Sequence, residues 1–388
     1  MLVVPTFHYK VKYPEFLSAS DFPTGLGYLA SSLLEAGHDV IGLNPNNVVG
    51  YATGRDMLKA QLTRVIKETE PALIGLGGLC VDYAFLKDAI QIVRGVDFNI
   101  PIVLGGRSIS ADKEVFNLLN PDFGVIGEAE QAMIDLTNMI AAGKHDYGNI
   151  PNLAYWDKGK AIFTLADYDY GDIDTLPFPD YEVFGMKDMI DNFSIVTRLL
   201  YRYSRPYPRP FGIVTARQCP FSCTFCQHGG GPRYRARNID CVIEEIKQVY
   251  EKYEFNILLA LDELFVVNKT RMREFCEKLI QARDKYHWDF DWTFQTHASA
   301  ALDKETLELA KESGCYLFSY GLESASPPVL KSMNKKIKVE QVIEAMKLAG
   351  ETNIGFSANL IFGDTAETEN TIAESLEFWL RYCQPHFV

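Results

Sequence analysis

Three cysteines lie within eight residues of this chain, in the segment 219–226 (CPFSCTFC). Their spacing is C-x3-C-x2-C, an aromatic residue precedes the third cysteine, and the apolar run 211–214 before them is typical of a strand. Three thiolates on one short loop can hold three irons of a cubane [4Fe–4S] cluster, because cysteine thiolates are the usual ligands of such clusters. The fourth iron would then be open to a small molecule.

A zinc site, or a chance set of core thiols, is the alternative for these cysteines. Structural zinc usually takes four ligands arranged as two close pairs. The fourth ligand here would have to be a residue such as His228. The strand pattern before the cysteines and the helix pattern after them favour the cluster.

The cysteine spacing resembles the signature of the radical S-adenosylmethionine (radical SAM) superfamily. The resemblance implies that Cys219, Cys223 and Cys226 bind the cluster. It also implies that the open iron chelates the amino and carboxylate groups of S-adenosylmethionine, and that an electron from the cluster cleaves this molecule to a 5′-deoxyadenosyl radical. Phe225 would offer a flat face to the adenine.

Composition limits the remaining classes of protein. At 388 residues the chain is long enough for two domains, and 47% hydrophobic content with 28 glycines is typical of a globular α/β protein. The net charge of −13 disfavours a nucleic-acid partner. Eight cysteines, five of them scattered singly, do not suggest a disulfide framework. No signal peptide or membrane span is recognisable, so we expect a cytoplasmic protein.

Residues 1–145 show strands alternating with helical patterns. This alternation predicts a doubly wound, flavodoxin-like parallel sheet covered on both faces. Ligands of such sheets bind beyond the carboxyl ends of the strands. Glycines cluster at those ends, although tight turns alone explain most of them. The predicted strands are 2–4, 38–43, 72–78, 101–106 and 123–130, and the glycines are Gly77, Gly78, Gly105, Gly106 and Gly127.

Four segments of this domain together resemble the cobalamin-binding domain that precedes the barrel of many radical SAM enzymes: 23–30, 36–40, 103–106 and 127–130. The resemblance implies a cobalamin site that includes the five glycines and Glu128. The loop 6–11 contains His8 but lacks the aspartate and glycine of the Asp-x-His-x-x-Gly motif that supplies a cobalt ligand in mutases. We therefore expect His8 to be an ordinary loop residue.

Residues 146–210 are predicted to be a linker with a small hairpin at 156–161. Residues 211–388 repeat a strand–helix unit five times, which predicts a partial β/α barrel of the radical SAM type with its site at the carboxyl ends of the strands. Residues 385–388 would begin a sixth strand, so we expect a barrel that is truncated at this strand. The predicted strands are 212–215, 256–261, 292–296, 316–322 and 355–362.

Polar side chains follow several of these strands, and the family resemblance implies that they contact S-adenosylmethionine. The acidic pair Asp262 and Glu263 would hold its amino group, although a helix-capping role is about equally consistent with the sequence. Glu323 and Ser324 belong to a Gly-Leu-Glu-Ser segment like that of the family. Ile361 would pack against the adenine, and Gln295 points toward the barrel mouth.

The sequence thus predicts a radical SAM enzyme, and most simply a cobalamin-dependent C-methyltransferase. The substrate would be a small molecule or peptide, and an external donor such as flavodoxin or ferredoxin would supply electrons. Three alternatives stay open: a radical cyclase, rearrangement or oxidation enzyme with or without cobalamin, a methylthiotransferase, and an iron–sulfur sensor. A methylthiotransferase would need further clustered cysteines in the N-terminal domain, which contains only Cys80.

Overall fold

A computed structural model of the chain describes residues 1–6, 9, 22–47, 54–191, 204–227, 233–300 and 302–383. The chain divides into two compact units. Among the described residues, the first unit ends at 191 and the second begins at 204. No helix in these ranges is both long and apolar enough to cross a lipid bilayer.

The first unit is built on a sheet with the strand order β2-β1-β3-β4-β5-β6-β7. Strands β1 to β5 are parallel, whereas β6 pairs antiparallel with β5 and β7. The order 2-1-3-4-5 is that of flavodoxin-like sheets, and it confirms the predicted doubly wound fold. The strands are β1 (Leu2–Val3), β2 (Gly42–Leu43), β3 (Ile74–Gly77), β4 (Ile102–Gly105), β5 (Phe123–Val125), β6 (Leu153–Asp157) and β7 (Lys160–Phe163).

Helices cover this sheet in two groups. One buried apolar cluster joins α2, α3 and α5 to the sheet through residues such as Leu62, Phe85 and Phe116, while α1 packs beside α6. The short α4 and α5 were not predicted. The helices are α1 (Thr24–Glu35), α2 (Arg55–Thr69), α3 (Tyr83–Val96), α4 (Arg107–Ala111), α5 (Glu114–Leu119), α6 (Glu130–Ala141) and α7 (Met186–Asp191).

Residues 146–191, assigned from the sequence to a linker, lie in the first compact unit. The hairpin β6–β7 turns through Lys158 and Gly159, whose φ angles of 49° and 76° suit a two-residue hairpin turn. Its first strand takes the free edge of β5. Further along, the segment packs over β2 so closely that a Cβ on Gly42 would lie 2.2 Å from the carbonyl oxygen of Val183. This part of the chain is therefore integral to the first sheet.

The second unit contains a five-stranded parallel sheet with the order β14-β13-β12-β11-β8. Its strands are parallel and alternate with helices along the chain, which confirms the predicted barrel-type fold. The predicted sixth strand at 385–388 lies outside the described residues. The strands are β8 (Pro210–Ile213), β11 (Ile257–Ala260), β12 (Asp291–Thr296), β13 (Cys315–Glu323) and β14 (Gly355–Leu360). A separate antiparallel pair is formed by β9 (Ala216–Arg217) and β10 (Arg235–Ala236).

The helices of this unit pack against a core rich in aromatic side chains. Trp292 and Phe294 lie on alternate positions of β12, and the ring of Phe294 stacks on Phe318 of the next strand at 5.6 Å. Such cross-strand aromatic pairs fix the register of neighbouring strands. The helices are α8 (Ile239–Tyr253), α9 (Lys269–Tyr286), α10 (Lys304–Glu312), α11 (Pro327–Ser332), α12 (Val339–Thr352) and α13 (Glu369–Phe378).

A buried ion pair connects the first helix of this unit to the strand region. Arg237 and Glu245 are both nearly inaccessible to solvent and bond directly to each other. Arg237 also donates to the carbonyl oxygen of Val214 at 3.0 Å. The attraction between the two charges and the extra hydrogen bond compensate for the loss of hydration.

Replacing Glu245 with glutamine should lower the free energy of unfolding by about 3 kcal/mol, because the buried guanidinium of Arg237 would lose the carboxylate charge to which it bonds. Urea unfolding of the Glu245→Gln protein measures this. The control is Glu244→Gln on the same helix, where the carboxylate is about half exposed and pairs only with surface groups. Equal effects of the two substitutions would show that the buried pair does not support the fold.

Candidate radical SAM site and cofactor-binding sheet edge

The three predicted cysteines lie on a loop whose two ends are joined. Strands β9 and β10 pair antiparallel, with Ala216 opposite Ala236 and Arg217 opposite Arg235. The loop between them, 218–234, is described up to Gln227 and again from Arg233. Gln218, just before the first cysteine, has a left-handed φ of 72° and turns the chain away from β9. We call residues 218–227 the cysteine loop.

Asp262 fastens the base of the cysteine loop. One of its carboxylate oxygens accepts hydrogen bonds from the backbone N–H groups of Thr215 and Ala216 at 2.6 and 3.0 Å, and the other accepts from the Thr215 hydroxyl at 2.5 Å. Burial raises the pKa of this carboxyl to about 6, although the bonds from Thr215 act in the opposite direction. The predicted contact of Asp262 with S-adenosylmethionine stays a prediction, but its oxygens are already engaged by the backbone.

Two arginines also form hydrogen bonds to Thr215. Its carbonyl oxygen accepts from the backbone N–H of Arg237 at 2.9 Å and from the side chain of Arg271 at 3.1 Å. Arg271 also donates to the carbonyl oxygen of Arg237 at 2.7 Å. Because Thr215 turns to meet these groups, β8 ends at Ile213, two residues before the predicted end of the strand.

The tip of the cysteine loop is attached to the segment after α11. The backbone N–H of Thr224 donates to the carbonyl oxygen of Met333 at 3.0 Å. The side-chain amide of Asn334 donates to the backbone oxygen and hydroxyl of Ser222 at 2.8 and 3.0 Å. The loop is therefore held at its base by Asp262 and at its tip by residues 333–334.

The three thiols differ in exposure and influence one another. Cys223 is buried, Cys219 is partly buried and Cys226 is exposed. Burial raises the pKa values of the Cys219 and Cys223 thiols, and the negative charge of Cys226 raises them further. Lys335 has the opposite effect on both. Thiolates so close together need positive charge between them, and a cluster of iron ions supplies it, so this donor set fits an iron–sulfur cluster.

No three His, Cys, Asp or Glu side chains in the described ranges converge on a position for a single metal ion. In a cubane cluster each thiolate binds a different iron, so the sulfur atoms need not converge on one point.

Lys335 was not predicted as a site residue, yet it is a buried cation close to the cysteine loop. Its ammonium donates to the carboxylate of Glu323 at 2.8 Å, and both side chains are only 8% exposed. The same ammonium lies 5.8 Å from the ring centroid of Phe225. The glycine at position 321 leaves room for this ion pair. A Cβ on Gly321 would come within 2.2 Å of the Glu323 carboxylate and 2.8 Å of the Lys335 ammonium.

Glu323 itself stands at an irregular point of β13. Its φ is 65°, and the pairing register with β14 shifts between Gly321 and Glu323. Its carbonyl oxygen accepts from the N–H of Ile361 at 2.9 Å. This bulge turns the Glu323 carboxylate to Lys335 and joins it to the end of β14, so two predicted residues, Glu323 and Ile361, are brought together. Bulges that re-aim a side chain are common beside active sites.

His297, at the end of β12, stacks on Phe221 of the cysteine loop. The ring centroids are 3.9 Å apart and nearly parallel. Burial, together with the charge of Lys335, lowers the pKa of His297 to about 4. The imidazole is therefore neutral near pH 7.

The other predicted residues of this unit occupy different surroundings. Phe225, Glu263 and Gln295 are exposed. Ser324 is buried, and its hydroxyl lies 3.3 Å from that of Ser375 and accepts the N–H of Ser326 at 3.1 Å. Ser324 thus serves a local structural contact, and its predicted role in binding the cofactor stays untested.

In the first unit, the predicted glycines lie where β3, β4 and β5 end. The ends of β3 and β4 approach so closely that a Cβ on Gly106, where φ is 84°, would meet the nitrogen of Gly78 at 2.8 Å. Beside them, Gly105 faces open space. Gly127 follows β5 with a φ of 85°, and its N–H donates to the hydroxyl of Ser110 at 3.0 Å.

Apolar side chains stand exposed at the same sheet edge. After Gly77 and Gly78, Leu79 is 54% exposed and Val81 is 83% exposed. An open glycine edge with apolar side chains beside it fits a large ligand with an apolar face, such as a corrin ring. Glu128 is partly buried, and His8 lies outside the described residues.

Two family models match this chain. The Radical SAM superfamily model matches residues 213–378, and the B12 binding domain model matches residues 21–137. The matched ranges fall in the second and the first compact unit.

Two curated relatives match across nearly the whole chain. An uncharacterized methyltransferase of Pyrococcus horikoshii is 27% identical over 97% of this chain and 77% of its own length. The anaerobic magnesium-protoporphyrin IX monomethyl ester cyclase of Rubrivivax gelatinosus is 27% identical over 91% of this chain, which spans 61% of that enzyme.

Solved structures show the same fold. The radical S-adenosylmethionine methyltransferase TsrM from Kitasatospora setae superposes with a TM-score of 0.76 at 18% identity, over 98% of this chain and 71% of that one. The cobalamin-dependent S-adenosylmethionine radical enzyme OxsB gives 0.78 at 17% identity, over 97% of this chain and 51% of that one.

The two family models occur in the order predicted from the sequence, and the strand order of each unit agrees with them. The Radical SAM domain implies a [4Fe–4S] cluster and S-adenosylmethionine as cofactors, and the B12 binding domain implies cobalamin. The chain therefore combines a B12 binding domain at residues 21–137 with a Radical SAM superfamily domain at residues 213–378.

Proposed function

We propose that this enzyme transfers a methyl group to an unactivated carbon of a small molecule or peptide. The observation that carries the proposal is the cysteine loop, which is held at its base and its tip and lies beside the buried Lys335. The same chain contains a B12 binding domain with glycines at the ends of β3, β4 and β5. When bound, the cluster and S-adenosylmethionine supply a hydrogen-abstracting radical, and cobalamin supplies the methyl group. The protein contributes placement and exclusion of water.

Cys219, Cys223 and Cys226 would hold the cluster. The hydrogen bonds of Asp262 and Asn334 would hold the loop on which the cysteines lie, and neither bond involves a cysteine. The ring of His297 stacks on that of Phe221 and covers one face of this loop residue. A neutral ring adds no positive charge there and donates no proton near pH 7.

Lys335 and Glu323 would bind the amino-acid end of S-adenosylmethionine. That end carries a carboxylate and an amino group, and the buried pair presents one charge of the opposite sign for each. The Phe225 ring lies next to the same ammonium. The ring is 41% exposed, so part of its face is accessible to a stacked base.

The glycines at the ends of β3, β4 and β5 would hold cobalamin. Gly105 leaves room at the sheet edge, and Leu79 and Val81 offer apolar contact to a corrin face. This edge is where ligands bind in flavodoxin-like sheets.

Ring formation is the second candidate function, since the Rubrivivax relative is named as a cyclase. It would use the same hydrogen abstraction without delivering a methyl group. Transfer of a labelled methyl group therefore separates the two candidates.

Protein produced anaerobically with cobalamin available should contain about four irons and one cobalamin per chain. Incubated with a reductant and S-adenosylmethionine carrying a deuterated methyl group, it should form 5′-deoxyadenosine. The deuterium should also appear in the extracted corrinoid. Metal analysis and mass spectrometry measure these outcomes.

A Cys223→Ala protein is the control, and it should lose 5′-deoxyadenosine formation. Deoxyadenosine without deuterium in the corrinoid would reject the methyltransferase and favour the cyclase. Zinc in place of iron would reject both.

Replacing Lys335 with methionine should weaken the binding of S-adenosylmethionine about tenfold or more, because a hydrogen bond to a charged group contributes about 1.5–3 kcal/mol. Equilibrium dialysis of cluster-containing protein measures the dissociation constant without turnover. Lys335→Arg keeps the charge and should retain most of the affinity.

Lys336→Met is the matched control, since Lys336 is the exposed neighbour. Thermal unfolding and iron content identify any variant that fails to fold or to load. Unchanged affinity in a folded, loaded Lys335→Met protein would remove Lys335 from the binding site.

A further inference from the structure

A strongly basic surface lies next to the cysteine loop. Four lysines occur within eight residues, and the sequence contains no aspartate or glutamate between Glu323 and Glu340. This is unusual in a chain whose net charge is −13. We call the segment 331–338 the lysine segment; its lysines are Lys331, Lys335, Lys336 and Lys338.

Three of these lysines point to solvent. Lys331, Lys336 and Lys338 are exposed, and no ion pair with another described residue involves them. Together with Lys335 they line a pocket of about 320 Å³, of which Glu340 is the acidic member. The exposed ammonium groups are therefore available to an acidic partner.

The lysine segment is also in direct contact with the cysteine loop. Met333 accepts the N–H of Thr224, and Asn334 donates to Ser222. A partner that docks on these lysines would stand beside the loop that holds the cluster, so both the charge and the position suit a protein that delivers electrons.

We propose that Lys331, Lys336 and Lys338 form the docking surface for an acidic one-electron carrier protein. The inference rests on the proposed function, which requires one electron from outside the chain for each cleavage of S-adenosylmethionine. In the docking step the carrier is oxidised by one electron and the cluster is reduced by one. Redox encounters use small interfaces, and their association rates depend on complementary charge.

The test is a triple variant, Lys331→Glu/Lys336→Glu/Lys338→Glu, which leaves Lys335 in place. Reduced flavodoxin is mixed anaerobically with cluster-containing protein, and cluster reduction is followed by stopped-flow absorbance. We expect the second-order rate constant to fall about tenfold or more at low ionic strength. The rate for the unmodified enzyme should fall as salt is added, whereas the rate for the variant should change little.

Two controls separate docking from general effects. Lys59→Glu/Lys67→Glu/Lys87→Glu changes three exposed lysines of the first unit and gives the same net charge, and it should keep most of the rate with flavodoxin. Reduced methyl viologen, a small cation, should reduce the cluster of the lysine-segment variant no more slowly than that of the unmodified enzyme.

Equal flavodoxin rates for the two triple variants would overturn the docking surface. If the unmodified enzyme still cleaves S-adenosylmethionine with methyl viologen and transfers the labelled methyl group to the corrinoid, the proposed function stands in that case. If the unmodified enzyme cleaves none with either reductant, the proposed function is rejected and the docking surface with it.

Discussion

The buried carboxylate of Asp262 is the contact on which the arrangement of the catalytic unit depends. It binds two backbone N–H groups and a hydroxyl at Thr215 and Ala216. Arg237 and Arg271 bind the carbonyl oxygen of the same threonine. One turn of backbone is thereby fixed immediately before the first cysteine. An unpaired carboxylate at this depth would be costly, and the hydrogen bonds from Thr215 and Ala216 compensate for its burial.

A second buried charge organises the other side of the cysteine loop. Lys335 bonds to Glu323 and lies near the ring of Phe225, and its charge acts to lower the pKa values of Cys219 and Cys223. It belongs to a segment that also bonds to the loop tip. Its position depends on the bulge at Glu323 and on the absence of a side chain at Gly321. Backbone irregularity and charge placement are therefore linked here. A regular β13 would direct the carboxylate elsewhere.

The sequence predicts the fold well because each unit repeats one pattern. Alternating strands and helices predict a parallel sheet in both units, and the observed order 2-1-3-4-5 is one of the common orders of doubly wound sheets. The hairpin β6–β7 was recognised as a hairpin, but its place in the first sheet depends on a free edge at β5. Such a long-range pairing leaves no local trace in the sequence.

The site was predictable only in part. The three cysteines and Glu323 belong to recognisable motifs. Glu323 pairs with Lys335, and the charges of both residues influence the pKa of Cys223 in the cysteine loop. Asp262 illustrates the limit: an acid after a strand suggests a ligand contact, yet its neighbours in space are backbone groups 47 residues away. Lys335 was missed because one lysine among four gives no sign of which is buried.

The hydrogen bonds that frame the cysteine loop involve Thr215, Ala216, Ser222 and Thr224, and no thiol takes part in them. The frame of the loop can therefore form while the sulfur atoms are still unoccupied. Iron and sulfide would then bind to a loop that these hydrogen bonds already hold in place, and the cluster would not be needed to fold the loop.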